Sequence, residues 1–195
     1  MARAKDENKR QLILESAKML FSKRGFYNTS IADITKETGL PVGSIYTYFK
    51  SKEEIVKTIV EEGWIDLRQR LFEAIAKHER PQEKLKVIIE TFLPEIFNDL
   101  DLVNILLSEA ISYTKIEEKV EELSGLIMGL LQEIAKDRRV LDGFDKRMMD
   151  AALVVFFLGM LAAVKLARLT SLGLQVNDII SFIKYTIEKG LLIQF

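Results

Sequence analysis

Cysteine is missing from this sequence of 195 residues, and His78 is its single histidine. Without thiols, the chain can form neither disulfides nor a thiolate metal site, and one imidazole cannot supply a multi-histidine site. The sequence also lacks a recognisable nucleophile–base pair, phosphate-binding loop or cluster of metal ligands. These absences exclude the common catalytic constellations, so we predict that the protein is not an enzyme and uses no metal or cofactor.

Proline, glycine and long apolar runs are also scarce. The 3 prolines and 10 glycines leave little material for long loops or disorder. The longest uncharged apolar stretch, AALVVFFLGMLAAV at residues 151–164, is shorter than the roughly 20 residues that cross a bilayer. The first residues, MARAKDENKRQ, are too charged for a signal peptide. We therefore expect a cytoplasmic protein without a membrane segment.

The net charge of −1 does not by itself favour binding to nucleic acid. The charges are unevenly distributed, however. Lysine and arginine outnumber aspartate and glutamate within residues 1–60, whereas the acidic residues are in excess over residues 61–195. Any affinity for a polyanion is therefore expected in the N-terminal part of the chain.

Apolar residues recur at helical spacing along the whole chain, and no segment alternates as a β-strand does. This pattern predicts an all-α fold of about nine helices. A first helix is expected from Lys9 to Arg24, and a long helix starts after Ser51 and ends near His78. Further helices are predicted roughly over residues 82–97, 101–113, 116–136, 144–170 and 176–192.

Residues 28–54 form the segment with the clearest functional pattern. Thr29 or Ser30 can cap a short helix with a hydroxyl, and Gly39 can end that helix in the left-handed conformation. A second short helix, residues 42–49, turns Ile45 inward and leaves small hydroxyls and two tyrosines exposed, with lysines beyond. Two short helices joined by a tight turn are typical of a helix-turn-helix, whose second helix enters the major groove.

The alternative interpretation is a helical hairpin in a bundle core, where the tyrosines only pack. A helix of about eight residues buries little surface and is marginal alone. Hydroxyls, tyrosines and flanking lysines also suit a surface that contacts phosphates and base edges. We therefore favour nucleic-acid binding.

The stretch ILESAKMLFSKRGFYNTSIADITKETGLPVGSIYTYFKSKEEI, at residues 13–55, resembles the N-terminal domain of the TetR family of transcriptional repressors. The resemblance implies an N-terminal three-helix DNA-binding domain that a long helix joins to a C-terminal helical ligand-binding and dimerisation domain. On this basis we expect a flexible arm over residues 1–8, a helix-turn-helix domain over 9–50 and an effector-binding and dimerisation domain over 51–195. The expected partners are a double-stranded DNA operator, a small-molecule effector and a second copy of the chain.

The resemblance also implies roles for individual residues. The residues expected to contact DNA are Thr29, Ser30, Val42, Gly43, Ser44, Tyr46, Thr47, Tyr48 and Lys52. Thr29 and Ser30 would bind phosphate at the start of the second helix, and Gly43 would let the backbone approach the duplex. Thr47 would read a base edge or a thymine methyl group, the tyrosines would reach phosphate or sugar, and Lys52 would pair with phosphate.

The stretch 151–164 has apolar residues on every side of the predicted helix, so every side must be buried. A partner subunit would cover the far side, and small residues would allow a close approach. We therefore predict a homodimer joined by the last two helices. The predicted interface residues are Ala152, Phe156, Gly159, Ala163, Ile179, Phe182, Ile183 and Ile187.

An effector pocket is implied by the resemblance, and methionines and aromatic residues suit a pliable apolar cavity. The candidates are Trp64, Phe92, Asn104, Ser108, Tyr113, Met128, Met149, Phe157 and Met160. At helical spacing each of these side chains can equally belong to the core.

We therefore predict a dimeric repressor that binds a palindromic operator and is released by a small hydrophobic or amphipathic effector. The alternative is a DNA-binding architectural or scaffold protein of the same fold that does not respond to a ligand.

Overall fold

The computed structural model describes residues 6–135, 145–171, 173 and 175–191. Within these ranges the chain consists of helices joined by short turns and contains no strand, which confirms the predicted all-α fold. The helices are α1 (Glu7–Arg24), α2 (Ile31–Thr38), α3 (Val42–Tyr48), α4 (Lys52–Ile75), α5 (Pro81–Val87), α6 (Leu93–Asn98), α7 (Leu100–Leu106), α8 (Ile116–Ile134), α9 (Lys146–Leu169) and α10 (Val176–Leu191). A π-helical turn (Ile88–Phe92) joins α5 to α6, and a 3₁₀ helix (Glu109–Tyr113) follows α7. With α5, the π-helical turn and α6 taken as one, the described part has the predicted nine helices.

Two predicted helices are interrupted, and both interruptions have local causes. Pro94 has no N–H to donate to the carbonyl four residues earlier, and the π-helical turn ends just before it, at Phe92. After α7, the Ser108 hydroxyl accepts a hydrogen bond from the Ala110 N–H at 3.2 Å. Ser108 thereby caps the 3₁₀ helix instead of continuing α7.

Helix ends differ from the predicted ones by a few residues. α1 begins at Glu7 rather than Lys9 because the Asp6 carboxylate accepts a hydrogen bond from the Asn8 N–H at 3.1 Å and caps the helix. α4 ends at Ile75, before the predicted end near His78. Residues 1–5 of the predicted arm lie outside the described residues, as do the predicted helix ends at residues 136, 144 and 192.

The chain divides into two compact units. The first consists of Met1–Trp64 and Leu100–Lys115, and the second consists of Ile65–Asp99 and Ile116–Phe195. α4 therefore supplies residues to both units. The division differs from the predicted boundary after residue 50, since α7 and the 3₁₀ helix belong with the N-terminal helices.

The first unit is centred on α1, which packs against α2 and α7, while α2 packs against α3. Its fully buried side chains come from all of these helices and from the 3₁₀ helix after α7: Ile13, Ala17, Phe21, Ile34, Ile45, Val103, Ile105 and Ala110. The short helices α2 and α3 are thus held by a core that extends through α1 to α7.

In the second unit α8 packs against α5 and α9, and α10 packs against α6 and the π-helical turn. An ion pair joins Arg68 of α4 to Glu122 of α8 at 2.8 Å, and Lys184 of α10 pairs with Glu90. The buried side chains include Leu85, Ile88, Phe92, Leu161 and Val164.

One helix of the described part, Lys146–Ala167 within α9, is long and apolar enough to cross a membrane by length and composition alone. Its mean hydropathy is 2.0, and 22% of the most apolar stretch is buried inside the chain. This segment is longer than the uncharged stretch 151–164, because the helix continues on both sides of that stretch through residues that carry few charges. An apolar helix with so little burial needs a covering partner.

Candidate functional site

Helix α2 begins with a complete capping box. The Ser30 hydroxyl accepts a hydrogen bond from the Asp33 N–H at 3.1 Å, and the Asp33 carboxylate accepts one from the Ser30 N–H at 2.8 Å. The Ser30 hydroxyl also donates to this carboxylate, and these bonds lower the pKa of Asp33. At the other end Gly39 has a φ of 69° and donates its N–H to the Thr35 carbonyl at 3.0 Å. Both ends of α2 thus have the caps that the sequence indicates.

We expect Ser30→Ala to lower the free energy of unfolding by about 1 kcal/mol, the usual cost of losing an N-cap hydroxyl. The lowered pKa of Asp33 stabilises the fold above the unfolded pKa, and this contribution is lost as pH falls through the folded value. Because Ser30 is the largest cause of that shift, the variant should also lose part of its acid sensitivity. Thermal denaturation over a pH series measures both effects. Ser30→Thr retains the cap and should behave like the native protein.

Helix α3 buries one face and exposes the other. Ile45 is completely buried, whereas Val42 is 52% and Tyr46 54% exposed. The exposed residues form one strip, called the recognition strip below: Val42, Gly43, Tyr46 and Thr47. Val42 and Tyr46 are one helical turn apart, as are Gly43 and Thr47, so all four residues can contact the same binding partner. Ser44 is half-buried, and its N–H donates to the Pro41 carbonyl at 2.8 Å.

Two residues of the recognition strip have chemical properties suited to a DNA groove. The Thr47 hydroxyl donates to the Gly43 carbonyl at 2.9 Å, so its lone pairs can still accept from a base amino group. A Cβ atom added to Gly43 would meet nothing within 4 Å, and Gly43 has no positive φ. The fold itself therefore has no need for glycine at this helical position, whereas a closely approaching duplex does.

Two of the predicted phosphate or sugar contacts have partners inside the chain. The Tyr48 hydroxyl accepts a hydrogen bond from the Asp6 N–H at 3.1 Å. Thr29 is 1% exposed, and its hydroxyl donates to the Gly25 carbonyl at 2.9 Å. The Thr29 hydroxyl thus satisfies the turn after α1, and the phosphate contact of Thr29 stays a prediction. Ser30, the next residue, is exposed at the start of α2.

Lys52 also makes contacts that the sequence does not indicate. Its ammonium group donates to the Phe26 carbonyl at 2.7 Å and to the Thr29 carbonyl at 2.8 Å. The same nitrogen lies 4.3 Å from the centroid of the Phe26 ring, within the range of a cation–π interaction. Two of its three hydrogen-bond donors are thus used within the first unit.

The residues predicted to line an effector pocket are divided between the two units. Those in the first unit are Trp64, Asn104, Ser108 and Tyr113, and those in the second are Phe92, Met128, Met149, Phe157 and Met160. Phe92 and the three methionines are buried, and Phe157 is half-buried. α8 packs against α9, so Met128 shares a helix pair with the three candidates on α9. These five apolar residues remain candidates for an effector cavity.

Residues Leu100–Lys115, called the α7 segment below, contact the DNA-binding helices. The Asn104 side-chain amide donates to the Ser22 hydroxyl at 3.1 Å. The ring centroid of Tyr113 lies 5.2 Å from that of Phe26, and a hydrogen bond with Tyr27 raises the pKa of Tyr113. Sequence reasoning missed this association because Ser22 and Asn104 are 82 residues apart. The polar Asn104 within VNILL is the one local signal.

Exposed apolar residues form a stripe along α9, called the α9 stripe below: Met148, Ala151, Val155, Gly159, Ala162, Leu166 and Leu169. Val155 is 69% exposed. The predicted interface residues Phe156 and Gly159 are exposed, whereas Ala152 and Ala163 are half-buried. The exposed stripe is thus rotated from the predicted one by about one residue.

On α10, Phe182 is 63% exposed and Tyr185 60%. Ile183 is 8% exposed, and Ile179 and Ile187 are half-buried. Ile183 is therefore buried within the second unit, and its place in a dimer interface stays a prediction. Phe182 is the predicted residue that faces outward, and Tyr185 is the outward-facing residue that the sequence analysis missed.

Comparison with known proteins places these features in context. Residues 13–59 match the model of the bacterial regulatory proteins of the tetR family. The chain is 25% identical over 141 residues to the fatty acid metabolism regulator protein of Bacillus subtilis (strain 168), covering 70% of this chain and 73% of that protein.

Two solved structures have a similar fold. The fatty acid degradation regulator FadR from Bacillus halodurans has a TM-score of 0.75 at 16% identity, covering 95% of this chain and 96% of that one. The regulator FadR from Bacillus subtilis, solved in complex with stearoyl-CoA, has a TM-score of 0.71 at 19% identity, covering 94% and 96%. At these identities the structures establish a common fold alone.

Proposed function

The chain belongs to the TetR family of bacterial transcriptional regulators, and we propose that it is a dimeric repressor released from a palindromic operator by an amphipathic effector. The observation that carries this proposal is the recognition strip. It lies on a short helix that follows a capped α2 and a tight turn, as in helix-turn-helix proteins. A regulator of this kind acts on DNA in the cytoplasm.

The recognition strip supplies the base-reading surface in this proposal. Val42 offers an apolar contact to a thymine methyl group, and Thr47 offers hydroxyl lone pairs and a methyl group. Tyr46 extends an aromatic ring and a hydroxyl from the same strip. Ser30, exposed beside the first N–H groups of α2, is the residue that we propose to contact phosphate.

The second copy of the chain is needed to cover the α9 stripe and the exposed aromatics of α10. Val155 and Phe182 are more than half exposed in a single chain, and so are several other large apolar residues of α9 and α10. Exposed apolar surface of this extent marks an interface. A two-fold axis along these helices would present two recognition strips to successive major-groove segments. We therefore propose that operator binding requires the dimer.

The effector that we propose is a long acyl chain with an anionic head, such as an acyl-CoA. The support is the apolar set on the π-helical turn, α8 and α9, of which Phe92, Met128 and Met149 are buried. The names of the related fatty acid regulators, and the stearoyl-CoA complex of one of them, point to the same chemistry. Flexible methionines can repack around a long chain.

The α7 segment is the element that we propose to transmit effector binding. Its two ends continue into the second unit, at Asp99 and Ile116, while the segment itself packs with α1. Suppose that the effector binds more tightly to an arrangement of this segment that does not bind DNA. DNA affinity can then fall at most by the ratio of the effector's affinities for the two arrangements. The Asn104–Ser22 hydrogen bond is the polar contact that such a change would break.

We expect Asn104→Ala to strengthen the response to stearoyl-CoA by up to about fivefold, because losing a hydrogen bond that contributes about 1 kcal/mol to the DNA-binding arrangement favours the arrangement that the effector binds. By linkage, the affinity of the free protein for stearoyl-CoA should rise by a similar factor. The measurement is the ratio of operator dissociation constants with and without stearoyl-CoA. Ser22→Ala and the double variant should give the same ratio as the single variant. Additive effects would mean that the two side chains act independently.

The proposed function is tested by selecting fragments of genomic DNA with the purified protein, then adding stearoyl-CoA to the selected complex. We expect one or a few palindromic fragments and their release by the acyl-CoA but not by CoA alone. Tight binding that no acyl chain affects would favour the architectural alternative. A lack of preference for any fragment at low salt would contradict the proposal itself.

A further inference from the structure

Lys52 occupies a position where a cation is electrostatically unfavourable. It is the first residue of α4, and the N-terminus of a helix carries a partial positive charge. The acidic Glu53 and Glu54 in the same turn have the favourable sign. A lysine at this position therefore needs a contact strong enough to offset the helix dipole.

The contact is made by two backbone carbonyls and an aromatic ring. The Lys52 ammonium donates to the carbonyls of Phe26 and Thr29 at 2.7 and 2.8 Å, and it lies 4.3 Å from the Phe26 ring centroid. A hydrogen bond from a charged ammonium group to a carbonyl oxygen is stronger than one between two neutral groups. This arrangement leaves one of the three ammonium donors for any other partner.

These contacts join the two ends of the helix-turn-helix. Phe26 and Thr29 precede α2, whereas Lys52 follows α3, so α2 and α3 lie in the loop of chain that the lysine closes. The segment that supplies the carbonyls is itself fixed. The Phe26 ring is buried against Phe21 at a centroid distance of 5.3 Å, and the Thr29 hydroxyl is bonded to Gly25.

We propose that Lys52 is a positioning residue for operator recognition rather than a phosphate ligand. Its ammonium group holds the start of α4 to the turn before α2 and thereby fixes the orientation of α3 and the recognition strip. The inference rests on the proposed DNA-binding function and adds a role within it. Loss of this contact lets α2 and α3 reorient, which misaligns base contacts but leaves the positive surface in place.

The two roles predict different patterns of binding. A phosphate ligand contributes equally to every DNA sequence, and its loss lowers the slope of log affinity against log salt by about 0.9 per contact. A positioning residue affects base readout, so its loss is confined to the operator. A residue needed only for folding would reduce binding to all sequences together, through a smaller folded fraction.

The test compares Lys52→Met, Lys52→Arg and the native protein on the selected operator and on a scrambled duplex of equal length, over a salt series. Methionine retains the aliphatic stem and removes the donors. Lys57→Met is the matched control, because Lys57 is an exposed lysine of the same helix. Its replacement measures how much DNA affinity falls when one positive charge is removed. Thermal denaturation of each variant is measured in parallel.

We expect Lys52→Met to lower operator affinity by about a hundredfold, roughly tenfold for one misaligned base contact in each of the two subunits, with the scrambled duplex affected less than about twofold. Its salt slope should equal that of Lys57→Met, and Lys52→Arg should restore most of the operator affinity. Equal losses on both duplexes, with a reduced slope or a lower melting temperature, would overturn the inference and leave the regulatory function intact. If the native protein itself prefers no operator, both this inference and the proposed function fail.

Discussion

Val155→Lys is expected to convert the dimer to a monomer and to weaken operator binding by roughly a hundredfold or more, because two linked half-site contacts become independent. Val155 is 69% exposed and is the most exposed large apolar side chain in the central part of the α9 stripe. A lysine there would bring two like charges together at the two-fold axis, in a surface that is otherwise apolar. Analytical ultracentrifugation measures the oligomeric state, and fluorescence anisotropy with the selected operator measures the affinity.

Gln132→Lys is the control, because it adds the same charge at an exposed position of another helix, α8. It should leave the dimer and the operator affinity unchanged. Phe182→Glu, on α10, should reproduce the effect of Val155→Lys if both helices form the interface. A Val155→Lys protein that remains dimeric with native affinity would show that the α9 stripe is not the interface.

Gly43→Ala is expected to stabilise the fold and yet to weaken operator binding by about a hundredfold. Alanine is favoured over glycine in a helix by about 0.5–1 kcal/mol, and the new methyl group meets nothing within 4 Å in the chain. On the operator the methyl group would occupy the space where the backbone of α3 approaches the bases. A loss of about 1.4 kcal/mol in each of two subunits corresponds to about a hundredfold in affinity.

Gly125→Ala provides the matched control for this change. Gly125 is an exposed glycine within α8, and an added Cβ atom there also meets nothing within 4 Å. It should raise the melting temperature like Gly43→Ala without changing DNA affinity. If Gly43→Ala bound the operator as tightly as the native protein does, the close approach of α3 to DNA would be excluded.

The features that could be predicted from the sequence are those with local causes. Gly39 ends α2 with a positive φ, and the Ser30–Asp33 box begins it, because caps depend on residues within four positions of each other. The inward direction of Ile45 follows from helical spacing in the same way. The all-α fold is likewise a sum of local periodicities.

The features that could not be predicted depend on distant partners. The Asn104–Ser22 contact spans 82 residues, and nothing in the α7 sequence identifies α1 as its neighbour. The burial of Thr29 depends on packing against the end of α1, where its hydroxyl also donates to the Leu20 carbonyl, nine residues earlier, at 3.3 Å. On α9, apolar residues surround the whole helix, so there is no polar face to show that Val155 rather than Phe156 marks the outer stripe.

The association of the α7 segment with α1 limits how regulators of this kind can be recombined. A chimera that joins residues 1–64 to the sensory half of another regulator would lack Val103, Ile105 and Ala110, which are completely buried here. The swapped module would then have to supply a foreign helix of matching shape to α1. A working chimera therefore has to take residues 100–115 from the same protein as residues 1–64, although the two segments are far apart in the sequence.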